Sequence, residues 1–569
     1  MREFVPYPFA PEHHAAAIPA LQDGVEARRP AAVVVGGGPV GYCTALGLAR
    51  HGVPVVLLEA DDGVCTGSRA ICISRRSLEI IDRLGALDGF LRIGLPWTGG
   101  RSFYRQAEVL HFTMPQDENQ KLPPMVNLAQ YHIEQILLER AQALPDLIDI
   151  RWQTRVTGVD SRADGVRLSL STPAGEYALD AGWVVGADGG RSFVRESLGL
   201  ALTGTSYEGR YVIVDIRLRS DRPTERLAYF DPPCNPGSTV LVHKQPDDVW
   251  RIDYQLRDAE DADQATRPEN MLPRVESLLA MMGETGEWAP IWTTVYKANA
   301  LTLERYRHGR VLLAGDAAHL LPIFGVRGAN SGIDDADNLA WKLAFVIKGL
   351  AAPTLLDSYS DERVAAAHEN LGHGRKSTEF MAPPSFAFDL MRQAVLGLAS
   401  RHAAVRALIN PRQTAPITYR ASPLNAADDD RFDAGPVPGA VLPECPLRVT
   451  PDGAAPRDAH LTDLIGAEFV ALWFAQGGAL PPALQDLARR MVTRGLPFKM
   501  LCLTRADALG DAQDHTGRLF PMFGATPGTL YLVRPDGHVL ARARELAPGP
   551  AAEFITAAIG RALDLGART

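Results

Sequence analysis

The chain has 569 residues, enough for several cores at roughly 100 to 200 residues per domain, and carries a formal net charge of −9 at pH 7. An acidic balance with no cluster of Lys and Arg argues against nucleic acid as a partner, and no window approaches the ~18 consecutive apolar residues of a membrane span. Six cysteines (Cys43, Cys65, Cys72, Cys234, Cys445, Cys502) show neither C-x-x-C nor zinc-ligand spacing, so no metal site is expected and cysteine chemistry is not the source of activity.

The first thirty residues include Glu3, Glu12, His13 and His14 in place of an unbroken apolar run, so they do not read as a secretory signal and the chain is expected in the cytoplasm. A buried strand follows at Ala31 to Val35. It leads into Gly36-Gly37-Gly38-Pro39-Val40-Gly41, an amphipathic helix from Tyr42 to His51, a second strand to Leu58, and then Glu59. Strand, G-x-G-x-x-G turn, helix, strand and acid in that order form a dinucleotide-binding unit. Gly36 permits the tight turn, Gly38 lets the backbone approach a pyrophosphate, and Gly41 lets helix and strand pack closely. The helix N-terminus supplies amide donors and a positive dipole for phosphates. Glu59, roughly 20 positions on, can accept from ribose hydroxyls and disfavours a 2′-phosphate, which points to FAD or NAD and not NADP. A glycine-rich turn without a nucleotide is the alternative.

Further along lie Ser68-Arg69-Ala70, and then Gln130 at the start of a helical pattern formed by Ile133, Ile136, Leu137 and Arg140. A side-chain amide at that place can also serve as a helix cap, and a lone arginine such as Arg69 can be a surface residue. Trp183 to Arg195, with Asp188-Gly189 at its centre, again reads as strand, tight turn and helix start. Period-two runs come next at Tyr211 to Leu218, Glu225 to Phe230, Thr239 to His243 and Val249 to Leu256, separated by Pro- and Asp-rich turns. Arg251 and Asp253 share one strand face, and Trp250, Ile252 and Tyr254 the other. Because antiparallel sheets commonly wet one side, these charges can face either a cavity or solvent.

The strand Val311 to Ala314 runs into Gly315-Asp316, then Pro322-Ile323, then Gly328-Ala329-Asn330-Ser331-Gly332 opening a long helix. Helices are expected over 328–372 and 385–408. From Asn410 to Pro446, seven prolines and the run Asp428-Asp429-Asp430 read as an extended connection. Beyond it, Phe469 to Phe474, a helical run from Pro482 to Arg494, Met500 to Leu503 and a hairpin from Thr529 to Val539 alternate as β-α-β-β-α.

The glycine turn, the Asp-Gly turn and the Gly-Asp turn in this order resemble the class A flavoprotein monooxygenases. These are aromatic hydroxylases related to p-hydroxybenzoate hydroxylase, phenol hydroxylase and 3-(3-hydroxyphenyl)propionate hydroxylase. Asn330-Ser331-Gly332 and Asp337 to Leu343 continue the pattern, and the resemblance covers nearly the whole chain. It implies an α/β fold with a Rossmann-like FAD-binding domain, discontinuous over residues 1–200 and 300–350. An antiparallel-sheet substrate domain would span 201–299, with 86–129 contributing, followed by a helical segment at 351–410 and a linker at 411–446. A thioredoxin-like domain would span 447–569, and without a C-x-x-C pair its role would be structural or at a subunit contact.

By the same resemblance, Gly36, Gly38, Pro39, Val40, Gly41 and Glu59 hold the ADP half of FAD. Arg69, Gln130 and Val156 touch FAD, and Asp188-Gly189 touches FAD and a transient NADH or NADPH. Gly315-Asp316 binds the ribityl side, and Gly328, Ala329 and Asn330 approach the isoalloxazine. His243, Arg251, Asp253, Tyr254 and Pro322 are the candidate catalytic residues. One departure is Ile323, where many members have a second proline; it leaves open the placement of a backbone carbonyl near the substrate. The implied reaction places one oxygen atom of O2, through a flavin C4a-hydroperoxide, ortho or para to the hydroxyl of a small phenolic substrate. A homodimer is compatible with it. A single G-x-G-x-x-G argues against two-dinucleotide enzymes such as disulfide reductases and Baeyer–Villiger oxygenases. Trp288 and Trp292 do not form the Trp-x-Trp-x-Ile-Pro signature of halogenases. A flavin oxidase or reductase, or a non-catalytic flavin-binding protein, are the other readings.

Overall fold

The structure is a computed structural model, and it describes residues 2–564 except 68–69, 258–259, 323, 410–412, 451–454, 507 and 509. The strand Ala32–Val35 carries apolar side chains on both faces and is buried along its whole length, as suits a parallel sheet covered on both sides. It lies inside a six-stranded sheet with the order Ile148–Arg151, Val55–Leu58, Ala32–Val35, Trp183–Gly186, Val311–Leu313, Arg307–His308. The first five run parallel and only Arg307–His308 is reversed. Four sequence-distant turns therefore leave the carboxyl edge of one sheet side by side: Gly36, Glu59, Ala187-Asp188 and Gly315-Asp316. The crevice outside that edge is where open α/β sheets bind their ligands.

An eight-stranded sheet stands over this edge, in the order His319–Leu320, Trp288–Thr302, Thr203–Leu218, Val249–Gln255, Thr239–Lys244, Arg226–Phe230, Gly99–Tyr104, Ala107–Thr113. Its period-two pattern sorts residues cleanly. Val212, Val214, Leu227, Val242, Trp250 and Ile252 pack with the helix Pro268–Met282 in one apolar cluster. Full burial of such side chains is worth about 1.5–3 kcal/mol each. The opposite face turns toward the dinucleotide-type sheet. The strand Trp288–Thr302 is not legible in the sequence, because Pro290 and a bulge at Ile291, opposite Asp215 and Ile216, interrupt its alternation.

The expected helical stretch after 328 is divided into Gly328–Ile347 and Leu355–Met381, with Phe386–Ala399 beyond. The C-terminal region forms a seven-stranded sheet in which Phe469–Phe474 pairs parallel with Phe498–Arg505 and antiparallel with Thr529–Val533. The helices Pro482–Thr493 and Pro548–Ala562 cover one face. Three short strands, Pro446–Val449, Arg457–His460 and Ala512–Asp514, extend the sheet beyond the elements read from sequence. Trp341 and Phe345 of the helix Gly328–Ile347 belong to the same apolar cluster as Phe469 and Leu484, so this region is packed directly on the helix that begins at the cleft.

The contact is also ionic and dry. Arg534 donates to both oxygens of Glu362 at 2.6 and 3.0 Å, and Lys342 Nζ donates to Glu362 at 2.7 Å. Asp536 accepts from Arg534 at 2.5 Å and from the Trp341 indole at 3.0 Å. The side chains of Glu362, Lys342, Arg534 and Asp536 are fully buried. Burial alone would raise the Glu362 pKa, but Arg534 and Lys342 hold it well below the usual carboxylate range. Glu362→Gln leaves two buried cations short of a counter-charge, and an apparent stability loss of about 3–5 kcal/mol is expected in chemical denaturation. A loss under about 1 kcal/mol would show that the network does not hold these parts together. Among the described residues, no helix is long and apolar enough to cross a membrane.

Candidate functional site

A cleft of about 520 Å³ runs between the carboxyl edge of the parallel sheet and the polar face of the eight-stranded sheet. At its first end, the three glycines of the turn do different work. Gly36 holds φ +106°, and a Cβ there would lie 2.5 Å from the Ala187 carbonyl oxygen, so the turn and the neighbouring strand end meet only through glycine. A Cβ on Gly41 would collide with the Gly36 carbonyl. Gly38 is in ordinary extended backbone (φ −79°, ψ −179°), and a Cβ there would find nothing within 4 Å. The space above Gly38 opens into the cleft, at the start of a helix whose first amides have no side-chain cap. Unpaired amides, a positive dipole and open room suit a pyrophosphate.

Around that turn the acids are held by backbone amides. Glu59 accepts from Gly37 N at 2.5 Å and Asp61 N at 2.9 Å. Asp188 accepts from the Ser192 hydroxyl at 2.5 Å and Val194 N at 3.0 Å, so the Asp-Gly turn is pinned to the helix it precedes. Burial raises the pKa of both carboxyls, and these donors oppose the rise. Asp316 sits exposed to the cleft on the single turn Gly315–Ala317. Asn330 is committed to the protein: it accepts from Ser74 N (2.9 Å) and Ser77 Oγ (2.7 Å) and donates to Cys72 O (3.0 Å) and Val326 O (2.6 Å). Val326 lines the cleft at φ +53°, a conformation that costs a β-branched residue about 1–3 kcal/mol and that the Asn330 bond helps hold.

At the other end the strand register assembles a polar cluster. His243 lies opposite Arg251 and Leu241 opposite Asp253, while on the next strand Asp215 and Ile213 face the same two residues. Arg251 Nε donates to Asp215 at 3.0 Å, and Tyr7, from the N-terminal segment, donates its hydroxyl to the same carboxylate at 2.7 Å. His243, Arg251 and Asp253 are 5, 2 and 7% exposed, which excludes the solvent-facing alternative. Burial pushes the Asp253 carboxyl up to about 7 against the pull of Arg251. Burial, with Arg226 and Arg251 nearby, pushes the His243 imidazole down to about 3. At neutral pH the cluster therefore holds a neutral imidazole and a carboxyl near its midpoint. Asp253 Oδ1 and His243 Nδ1 are buried without a hydrogen-bond partner, as groups awaiting a ligand would be.

Of the residues singled out by sequence, Gly36, Gly38, Pro39, Val40, Glu59, Gln130, Val156, Asp188, Gly189, Asp316, Gly328, Ala329 and Asn330 line the cleft, together with His243, Arg251 and Asp253. Gly41 and Gly315 stand one layer behind, Gly315 packed against Val40. Arg69 and Ile323 lie outside the described residues. Two assignments are corrected. Tyr254 is on the helix-facing side of its strand, with its hydroxyl donating to Ala265 O at 3.3 Å and Arg274 over its ring, so it cannot reach the cleft. The Pro322 ring faces Gly374 of the helix Leu355–Met381, and Leu320, Leu321 and Gly325 line the cleft in its place. Arg226 and Tyr296 also line the cleft and were missed. Period two puts Arg226 on the face of Ala228, and only the pairing of Ala228 with Leu241 in the folded sheet shows that this face lines the cavity.

A protein-family model for an FAD binding domain matches residues 29–372. The chain is 31% identical over 359 residues to the 3-(3-hydroxy-phenyl)propionate/3-hydroxycinnamic acid hydroxylase of Klebsiella pneumoniae (strain 342), an alignment covering 62% of each chain and thus less than two thirds of that relative. It is 30% identical over 530 residues, 91% of each chain, to the 6-methylpretetramide 4-monooxygenase of Streptomyces rimosus. Among solved structures, aklavinone-11 hydroxylase in its ternary complex with FAD and aklavinone superposes with a TM-score of 0.74 at 26% identity, covering 94% of this chain and 99% of that one.

Proposed function

This chain belongs to the class A flavoprotein hydroxylases and binds FAD, and from that premise we propose that it is a monooxygenase that hydroxylates a phenolic ring with NADH or NADPH and O2. The observation that carries the reading is the union, in one cleft, of the four dinucleotide-type turns with a buried acid, imidazole and guanidinium on the sheet opposite. Bound FAD, reduced by a nicotinamide, supplies the activation of O2 that no side chain can perform. The protein supplies the rest. The glycine turn and helix N-terminus would bind the pyrophosphate, Glu59 the ribose, Asp188-Gly189 and Asp316 the polar middle of the cofactor, and Gly328 to Asn330 would face its ring.

Asp253 is the base that takes the proton of the substrate hydroxyl, because a ring bearing a full oxyanion is the better nucleophile toward electrophilic oxygen. Its carboxyl is poised near neutrality, within a cavity wall made by Ile213, Leu241 and Tyr296. Arg251 is held by Asp215, which Tyr7 also contacts, and its charge opposes the rise of the Asp253 pKa from the neighbouring position on the same face. His243 stays uncharged and can donate or accept one hydrogen bond without adding charge. We assign residues 1–200 and 300–350 to the cofactor domain and 201–299, with 86–129, to the substrate domain. The 447–569 region is a thioredoxin-like unit, joined through the 351–410 helices and the 411–446 linker, and its role is structural or at a subunit contact because its Cys502 has no cysteine partner.

With the right phenol, nicotinamide oxidation by the flavin-loaded protein is expected to rise at least about tenfold, equivalent to roughly 1.4 kcal/mol of barrier. Oxygen from labelled O2 should appear in the ring product. Label arriving from water, or no ring oxygenation with any phenol that accelerates oxidation, would remove the hydroxylase reading and leave FAD binding untouched.

A further inference from the structure

Ahead of residue 29, where the family match begins, residues 2–14 are fastened to both walls of the cleft. Val5, Tyr7, Phe9 and Pro11 are half-buried and the residues between them exposed, the alternation of an extended segment laid on a surface. The first part holds the eight-stranded sheet: Arg2 donates to Trp288 O at 2.9 Å, Val5 N to Pro290 O at 2.8 Å, and Arg217 to Pro6 O at 3.0 Å. The last part holds the carboxyl edge of the parallel sheet. His14 N donates to Asp62 O at 2.7 Å, Gln153 donates to His14 O at 2.7 Å, and the His14 ring stacks on Trp152 at 4.6 Å. The Glu12 carbonyl approaches Gly63 so closely that a Cβ there would meet it at 2.5 Å. Asp62 and Gly63 belong to the loop leaving Glu59, so the segment backs that loop from outside. Between the two ends, Phe9 stacks at 5.0 Å on Tyr131, the neighbour of Gln130 in the cleft.

Tyr7 joins this segment to the polar cluster. Its hydroxyl donates to Asp215 Oδ2 at 2.7 Å, while Arg251 holds the same carboxylate with Nε at 3.0 Å and Nη2 at 3.3 Å. Burial, and then the Asp215 charge, raise the Tyr7 pKa, so the hydroxyl stays a donor at working pH. Two walls built from separate stretches of chain shift against each other unless something ties them. We propose that residues 2–14 are a brace across the cleft that slows escape of the flavin, and that Tyr7 within it is a positioning residue acting on Arg251 through Asp215. The charged groups that act on Asp253 are Arg251, Asp215 and Arg226, and His243, Cys72 and Tyr211 stand nearby uncharged. Of these, Asp215 is the one that Tyr7 bonds. Without the hydroxyl, more of the Asp215 charge bears on Arg251 and Asp253, and Asp253 keeps its proton to a higher pH. The bearing of Tyr7 on catalysis rests on the reading of Asp253 as the base; the brace does not.

Flavin release is timed by the rise of FAD fluorescence when flavin-loaded protein is diluted. A variant lacking residues 2–14 is expected to release FAD at least about tenfold faster than the wild type. Phe9→Ala combined with His14→Ala keeps the chain whole, removes two ring contacts with the cofactor wall, and should speed release at least about fivefold. Tyr7→Phe keeps the ring against Tyr131 and removes only the bond to Asp215, so release should change less than about twofold. In that variant the protonated-carboxyl infrared band that Asp253→Asn abolishes should titrate at least about 0.3 pH units higher than in the wild type, a shift that a merely structural tyrosine would not cause. Wild-type release from the double variant, or from a folded deletion variant, would overturn the brace. A carboxyl midpoint that Tyr7→Phe leaves in place, or no such band lost in Asp253→Asn, would overturn the role of Tyr7. A shifted midpoint in an enzyme whose turnover ignores Asp253→Asn would keep Tyr7 as a positioning residue and remove the base assignment.

Discussion

Gly38→Trp should give a folded, colourless protein. The substitution meets no backbone penalty, since Gly38 has φ −79° and ψ −179°, extended values open to any residue and suited to one preceding a proline. The first carbon of the new side chain meets no contact within the apoprotein, because nothing lies within 4 Å of the position a Cβ would take. All of its bulk goes into the space where a pyrophosphate must approach the first amides of the helix Pro39–Arg50. FAD affinity should fall at least about a thousandfold, on the order of 4 kcal/mol, while the far-ultraviolet circular dichroism stays unchanged. The ratio of flavin to protein absorbance after purification reads this directly. One flavin per chain in a folded Gly38→Trp protein would place the phosphates elsewhere. Gly41→Trp is a different experiment, because a side chain there strikes the Gly36 carbonyl and the loss would be one of folding.

Asp253→Asn should lower phenol-dependent turnover by about 10²- to 10⁴-fold and remove an acid limb from the pH profile. The direction follows from the group's state. Its carboxyl titrates near 7, so the proton-accepting form grows as pH rises through that value, and one pH unit below it the rate should be roughly a tenth of the plateau. His243 is pushed down to about 3 and does not titrate in this window, which separates the two candidates. The exchange should leave the fold and the flavin content unaffected, as Oδ1 of Asp253 has no hydrogen-bond partner to lose. An Asp253→Asn enzyme that keeps the wild-type limb near pH 7 would take the base assignment away from this residue.

The cofactor half of the site was legible because its chemistry is local in sequence. A tight turn needing φ +106°, a close approach at Gly41 and an acid after the next strand all fall within one stretch of chain, and each leaves a residue-type mark. The substrate half was legible only as a choice of faces. Period two places Arg251 and Asp253 together and opposes them to Tyr254, and the polar tip of Tyr254 is no sign of a role in the cavity. In the fold that tip is satisfied by a helix carbonyl. Arg226 escaped notice because its meaning depends on cross-strand register, and register is not written in a single strand. The ion pairs beneath the C-terminal region were illegible for the same kind of reason: Arg534 and Glu362 are 172 positions apart, and neither residue alone differs from a surface charge. Tyr7 and Asp215, 208 positions apart, meet equally without warning.

The two faces of the eight-stranded sheet also bear on how such a protein can change. Side chains that hold the sheet to the helix Pro268–Met282 and side chains that shape the cavity interleave along the same strands without sharing a face. Exchanges at 213, 226 and 241 alter what the cavity accepts, while the intervening positions 214, 227 and 242 go on supplying the apolar contacts that keep the sheet in place. Substrate preference and mutational robustness are thereby carried by alternate letters of one text. A lineage drifting toward a new aromatic compound, or a combinatorial library built at the cavity positions, can vary the first set widely before it draws down the second.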